Sequence, residues 1–177
     1  MNLSRQHALP AIAGTVLASA LLAAPAHAAY KSTSRAQPGY ETSRLAMTVK
    51  GKPRQNAIVT LEVTGFNELF PVPVDPDFPD RMPLDFTLDV YVQPRSIYST
   101  CAADIDAQND RVINFPTKVK NIAGNVNEGP SGTFRHTIKY RAGSTRKIMF
   151  CAYTRYSATD DIIMASLKHD LRKKRAG

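Results

Sequence analysis

The chain has 177 residues, with 23 Lys and Arg against 15 Asp and Glu, a net charge of +8, 43% apolar residues, 12 Pro, two Cys and no Trp. That length suits one domain, and a charged fraction of 21% speaks against wholesale disorder. No second apolar stretch follows the N-terminal one, which excludes a bundle of membrane-spanning helices.

Residues 1–28 read as a secretory signal peptide. Arg5 supplies the positive start, Ala8 to Ala24 is an uncharged Ala/Leu-rich run, Pro25 breaks its helix, and Ala26-His27-Ala28 is an A-x-A cleavage site. The competing reading is a membrane anchor, but the weak apolarity and the small-residue exit favour cleavage. Ala24-Pro25-Ala26 offers a second cut. The mature chain is thus expected to start near Ala29 and to be secreted, periplasmic or on the cell surface. Without a leader that carries only Arg5, its net charge is +7. Lys168, Arg172, Lys173, Lys174 and Arg175 against Asp170 put +4 of this at the end, which leaves +3 for Ala29 to Leu167. The expectation is a nearly balanced domain with a basic tail over 172–177.

Residues 29–44 are polar and lack apolar periodicity, so they are expected to form a flexible lead-in. From Leu45 a period of two begins. Leu45, Met47 and Val49 form one strand face, and Val59, Leu61 and Val63 a second, with Gly51-Lys52-Pro53 between them and Gly65 as the stop. Residues 66–83 hold Pro71, Pro73, Pro76, Pro79 and Pro83, a spacing that forbids helix or ladder. The clearest strand follows. Phe86, Leu88, Val90 and Val92 face one way, and Asp85, Thr87, Asp89, Tyr91 and Gln93 the other.

The middle segment is less regular. Residues 101–109 suit one helical turn, Val112 to Phe115 and Lys118 to Ile122 suit short strands, and Gly124 to Gly132 suits a turn or loop. Phe134, His136, Ile138 and Tyr140 then alternate with polar residues. Ala142-Gly143-Ser144 turns the chain, Lys147 to Tyr156 is β-prone, and Ile162 to Leu171 can close a sheet. About seven alternating strands predict antiparallel sheets with one wet face each, stacked as an all-β sandwich over residues 45–171.

Outside the cytoplasm, the pair Cys101 and Cys151 suggests a disulfide. Closing a loop of that size removes about 4 kcal/mol of unfolded-state entropy in the chain-entropy model. The alternatives are free thiols or a metal thiolate site, although two Cys and two distant His lack zinc-ligand spacing.

The run Ile148-Met149-Phe150-Cys151-Ala152-Tyr153, followed by the strand holding Ala165-Ser166, resembles the end of secreted bacterial immunoglobulin-like modules. In those modules an F-like strand carries aliphatic-x-Cys-Ala-Tyr and a polar last strand follows. Gly132-Thr133-Phe134 resembles the start of their E-like strand. The resemblance implies an antiparallel two-sheet Ig-like sandwich, and it implies little about activity because most such modules have none assigned. The chain departs from the antibody type. Its first Cys follows the third predicted strand, it has no core Trp, and Met149 replaces the tyrosine-corner Tyr. A fibronectin-like or other sandwich topology with its own disulfide stays open.

Catalytic constellations are scarce. His136 falls on an apolar strand face and reads as a packed residue, and His169 beside Asp170 reads as solvated. No G-x-S-x-G elbow is present, and bonded cysteines cannot act as nucleophiles. Two acidic clusters are candidate Ca2+ ligands: Asp75, Asp77 and Asp80 in the Pro-rich loop, and Asp104, Asp106 and Asp110 after Cys101. The competing reading is that these residues solvate turns and cap elements. Arg172, Lys173, Lys174 and Arg175 suit an anionic partner such as a wall polymer, an acidic glycan or lipid headgroups; the competing reading is a solvated end. Nucleic acid is not expected for an exported chain without a basic groove interleaved with aromatics.

Two functions follow. The first is an exported, non-catalytic Ig-like module that contacts an anionic envelope polymer or a surface protein, with no resident cofactor. The alternative is a small secreted enzyme that uses loop Asp residues with a metal.

Overall fold

The computed structural model describes residues 31–67, 86–129, 132–156 and 161–173. Among them lie eight strands: β1 (Thr33–Ala36), β2 (Arg44–Val49), β3 (Ile58–Asn67), β4 (Phe86–Pro94), β5 (Lys120–Gly129), β6 (Gly132–Arg141), β7 (Lys147–Arg155) and β8 (Asp161–Asp170). One helix, α1 (Ile105–Asn114), stands between β4 and β5. The strands form two antiparallel sheets, ordered β1-β8-β7-β4-β5 and β2-β3-β6. The chain is an all-β sandwich, as the alternating pattern predicts.

Period-two burial builds the core between the sheets. Leu45 and Met47 of β2, Val59, Leu61 and Val63 of β3, and Phe134 and Ile138 of β6 meet Phe86, Leu88, Val90 and Val92 of β4. Ile148, Phe150, Ile162, Ala165 and Leu167 belong to the same cluster. Leu61 stands opposite Ile138 and is fully buried, as a central position in a three-stranded sheet dictates. Each such aliphatic side chain contributes about 1.5–3 kcal/mol on burial.

Five expectations are corrected. Within the lead-in 29–44, Thr33–Ala36 pairs with β8, and the Thr33 and Ser166 hydroxyls lie 2.8 Å apart. A backbone ladder needs no apolar side chains, so hydrophobic periodicity does not reveal such an edge strand. Gly65 does not end β3, which continues through Asn67. Its missing Cβ leaves room for the ring of Phe134, its cross-strand partner. The expected strand Val112 to Phe115 is the end of α1 and its cap, because Asp104 starts a helix there. The Asp104 side chain accepts the Ala107 N–H at 2.7 Å, and this N-cap outweighs the β-propensity of Val112-Ile113. Gly124 to Gly129 belongs to β5. Register shifts against β4 around Val90 take up the irregular sequence, and Asn125 adopts a positive φ of 52°.

The fifth correction concerns the wet face. β4 and β7 are buried on both sides, since α1 covers the outer face of the five-stranded sheet. Tyr91, Met149, Cys151 and Tyr153 pack there against Ile105 as a second apolar cluster. The Cys101–Cys151 disulfide fastens the segment leading into α1 to this face. It therefore lies outside the sandwich and does not bridge the sheets.

Candidate functional site

Two polar regions compete as the functional site: the network beneath α1, and the end of the sandwich where the β6–β7 turn meets the chain before β3 and the end of β8.

Beneath α1, donors and acceptors are matched to one another. Gln108 is fully buried; its Nε2 donates to Gln93 Oε1 at 3.1 Å, and its Oε1 accepts from the Ala102 N–H and the Tyr153 hydroxyl. Tyr153 OH also lies 2.9 Å from Ala102 O, and Tyr91 OH donates to Asn109 Oδ1 at 2.8 Å. Burial pushes both phenols well above the usual tyrosine range, so they act as neutral donors. Asp89 is buried at the edge of this network. Burial raises its carboxyl above the ordinary range, against the lowering effect of hydrogen bonds from Asn121 Nδ2 and Asn125 N to its Oδ1. Arg155 holds Asp106 and Asp161, while Asp161 Oδ2 accepts the Ile105 N–H at 2.7 Å. This region docks the helix and spends its polar groups on doing so.

The other region is open. The Ala142-Gly143-Ser144 turn is held on both sides by backbone bonds. Ala142 N donates to Ala57 O, Asn56 N to Gly143 O, and Leu171 N to Arg146 O. Gln55 Nε2 donates to Ser144 O. Arg172 joins the same end, since its N–H donates to Pro53 O and its carbonyl accepts from Gln55 N. Beside this turn lies a cleft of about 420 Å³ whose lining includes Lys118, Lys120, Arg141, Thr117, Ser144 and Thr145. Among the described residues, no Asp or Glu lines it. Lys118, Lys120 and Arg141 are exposed, as are Arg146 and Lys147 after the turn and Arg172 and Lys173 after β8. Asp170, a carboxylate at this end, is taken by an ion pair with Arg95. The Tyr140 hydroxyl is raised by burial and stays a neutral group in the lining. Cations and hydroxyls with no neutralising carboxylate suit phosphate, sulfate or carboxylate groups.

The residues proposed from sequence are distributed as follows. Cys101 and Cys151 are bonded. Arg172 and Lys173 are exposed at the cationic end, whereas Lys174 and Arg175 lie outside the described residues. Asp75, Asp77 and Asp80 also lie outside them, as do residues 1–28. Asp104, Asp106 and Asp110 do not gather: Asp104 caps α1, Asp106 pairs with Arg155, and no group of three His, Cys, Asp or Glu among the described residues is arranged to hold a metal ion. His136 sits 6.0 Å from the Phe134 ring in line with the core. His169, expected to be solvated, is half-buried, and burial lowers its pKa.

The cleft itself was missed from sequence. A body charge of +3 suggests a balanced surface, yet the fold collects Lys118, Lys120, Arg141, Arg146 and Lys147 at one end. The available signal is the turn Arg141-Ala-Gly-Ser-Thr-Arg146-Lys147, bracketed by cations without an acid. Comparison with models of known protein families and with curated protein sequences finds no match for this chain.

Proposed function

We propose that the chain is an exported, non-catalytic Ig-like module that engages an anionic component of the cell envelope through the basic end of its sandwich. The observation that carries this reading is the cleft lined by Lys118, Lys120 and Arg141, with no carboxylate among the described residues that line it. The Ig-like reading is supported by strand order. β2, β3 and β6 correspond to strands A, B and E, and β8, β7, β4 and β5 to G, F, C and C′ of a variable-type arrangement. Export is supported by the leader-like residues 1–28 and by the disulfide, which persists in oxidising compartments.

Charge at this end acts over about one Debye length, ~10 Å at 0.1 M salt. Binding is therefore expected to weaken as salt rises. The test is co-sedimentation of the purified protein with the cell envelope of its own source across a salt series. It runs beside a variant carrying Lys118→Gln and Arg141→Gln. Salt-sensitive binding that the variant loses supports the reading. Binding that the variant retains moves the site elsewhere, and no binding at low salt removes the proposal. The basic tail needs its own variant, with Lys173, Lys174 and Arg175 replaced by Gln. Ending the chain at Leu171 would also remove the two backbone bonds of Arg172.

A further inference from the structure

Next to the cationic cleft the molecule exposes apolar side chains. Ile113 in the last turn of α1 is 74% exposed, Phe115 at its C-cap 41%, and Ile97 in the turn after β4 37%. They belong to the same end of the sandwich as the cleft. Thr117 and Lys118 line the cleft, and Lys118 N donates to Phe115 O at 2.9 Å. Pro94 also lines it, and its carbonyl accepts the Ile97 and Tyr98 N–H groups at 3.1 Å. Tyr98 and Phe115 meet edge to face with ring centroids 5.7 Å apart. Arg111 lies over the Tyr98 ring at 4.2 Å and donates to Thr100 O at 2.7 Å. These contacts hold the aromatic pair in place, so ordering it on a partner costs little side-chain entropy.

A soluble anionic polymer is satisfied by the cations alone and has no use for Ile113. A lipid bilayer with anionic headgroups uses both features: its surface potential attracts the lysines and arginines, and its interface takes up apolar and aromatic side chains beside them. We infer that the anionic partner is a lipid surface, with Ile97, Ile113 and Phe115 entering the headgroup boundary while Lys118, Lys120, Arg141 and Arg146 contact phosphates. This deepens the preceding reading and rests on the basic end being the envelope-binding surface.

The test is sedimentation of the purified protein with phosphatidylcholine–phosphatidylglycerol vesicles, with phosphatidylcholine vesicles, and with its own envelope before and after lipid extraction. Inorganic polyphosphate serves as the soluble anion. The expected result is salt-sensitive binding to the phosphatidylglycerol vesicles, with much weaker binding to phosphatidylcholine alone. Ile113→Ser should then reduce vesicle binding about fivefold. It should leave polyphosphate binding and the thermal midpoint unchanged. Lys118→Gln with Arg141→Gln should reduce both kinds of binding, by roughly fivefold per charge at the vesicle. Because the chain has no Trp, Phe115→Trp adds a single fluorescent reporter whose emission should shift to the blue on anionic vesicles. Unchanged vesicle binding by Ile113→Ser, or no shift from Phe115→Trp, overturns the insertion. Binding to lipid-extracted envelope but not to anionic vesicles overturns the lipid inference and leaves the envelope reading standing. Binding to neither removes both.

Discussion

At Gly65 the backbone of β3 passes so close to the Phe134 ring that any Cβ would overlap it, and that Cβ would also lie only 2.8 Å from Arg44 O. Gly65→Ala should therefore destabilise the fold by about 1–3 kcal/mol, as overpacking does. Urea unfolding measures this. Combining Gly65→Ala with Phe134→Leu should cost less than the sum of the two, because the shorter side chain relieves the overlap. Asp89 makes a second prediction at this scale. Burial raises its pKa above the ordinary Asp value of 3.8, so the folded state disfavours the ionised form. The associated stability is complete below that ordinary value and is lost as pH rises through the raised one. Asp89→Asn can accept the same bonds from Asn121 and Asn125 without ionising. It should match or exceed the parent chain in stability at neutral pH, and the difference should close as pH falls to the ordinary Asp value. Urea midpoints at several pH values would show a persistent gap if the effect were packing alone.

At the scale of elements, the start of α1 is held by the Asp104 cap, the Asp161 bond to the Ile105 N–H, and the disulfide just ahead of the helix. Asp104→Ala should cost about 1 kcal/mol by freeing the Ala107 N–H. Replacing Cys101 and Cys151 with Ala should cost about 2–4 kcal/mol, read from urea unfolding. Hydrogen exchange in the pair variant should rise first in α1, while β3 and the rest of the inner core keep their protection. The reason lies in the two clusters. The disulfide belongs to the outer cluster around Tyr91 and Tyr153, and Leu61, Phe86 and Phe150 belong to the inner one. Loss of protection spread evenly over both sheets would contradict that division.

For the molecule as a whole, the cationic cleft and the exposed Ile97, Ile113 and Phe115 share one end of the sandwich. The fold achieves this by bringing three separated segments together at the cleft: the end of β4, the chain entering β5, and the end of β6 with its turn into β7. The Lys118→Gln, Arg141→Gln variant should unfold within about 0.5 kcal/mol of the parent chain, since both side chains are exposed. Its loss of envelope binding would then report the surface and not the fold. Because the bound partner stabilises only the folded chain, anionic vesicles should raise the thermal midpoint of the parent and not of this variant.

The local pattern of the sequence determined the sandwich. Alternation along Val59-Leu61-Val63 and along Phe86-Leu88-Val90-Val92 commits each strand to one buried face, and it does so whatever lies on the other side. The same pattern could not show that Asp89, Tyr91 and Gln93 are covered, because α1 comes from a later segment and is seated by long-range bonds to Asp161, Gln93 and Tyr153. It could not show β1, whose attachment is backbone pairing between Thr33–Ala36 and a strand more than a hundred residues later. The pairing of Cys101 with Cys151 was legible because two cysteines allow only one bridge, whereas its position outside the core was not. The basic end was the least legible feature of all. Lys118 leads into β5 and Arg141 ends β6, and only the tertiary fold brings them to one cleft, because like charges carry no periodicity that local sequence can display.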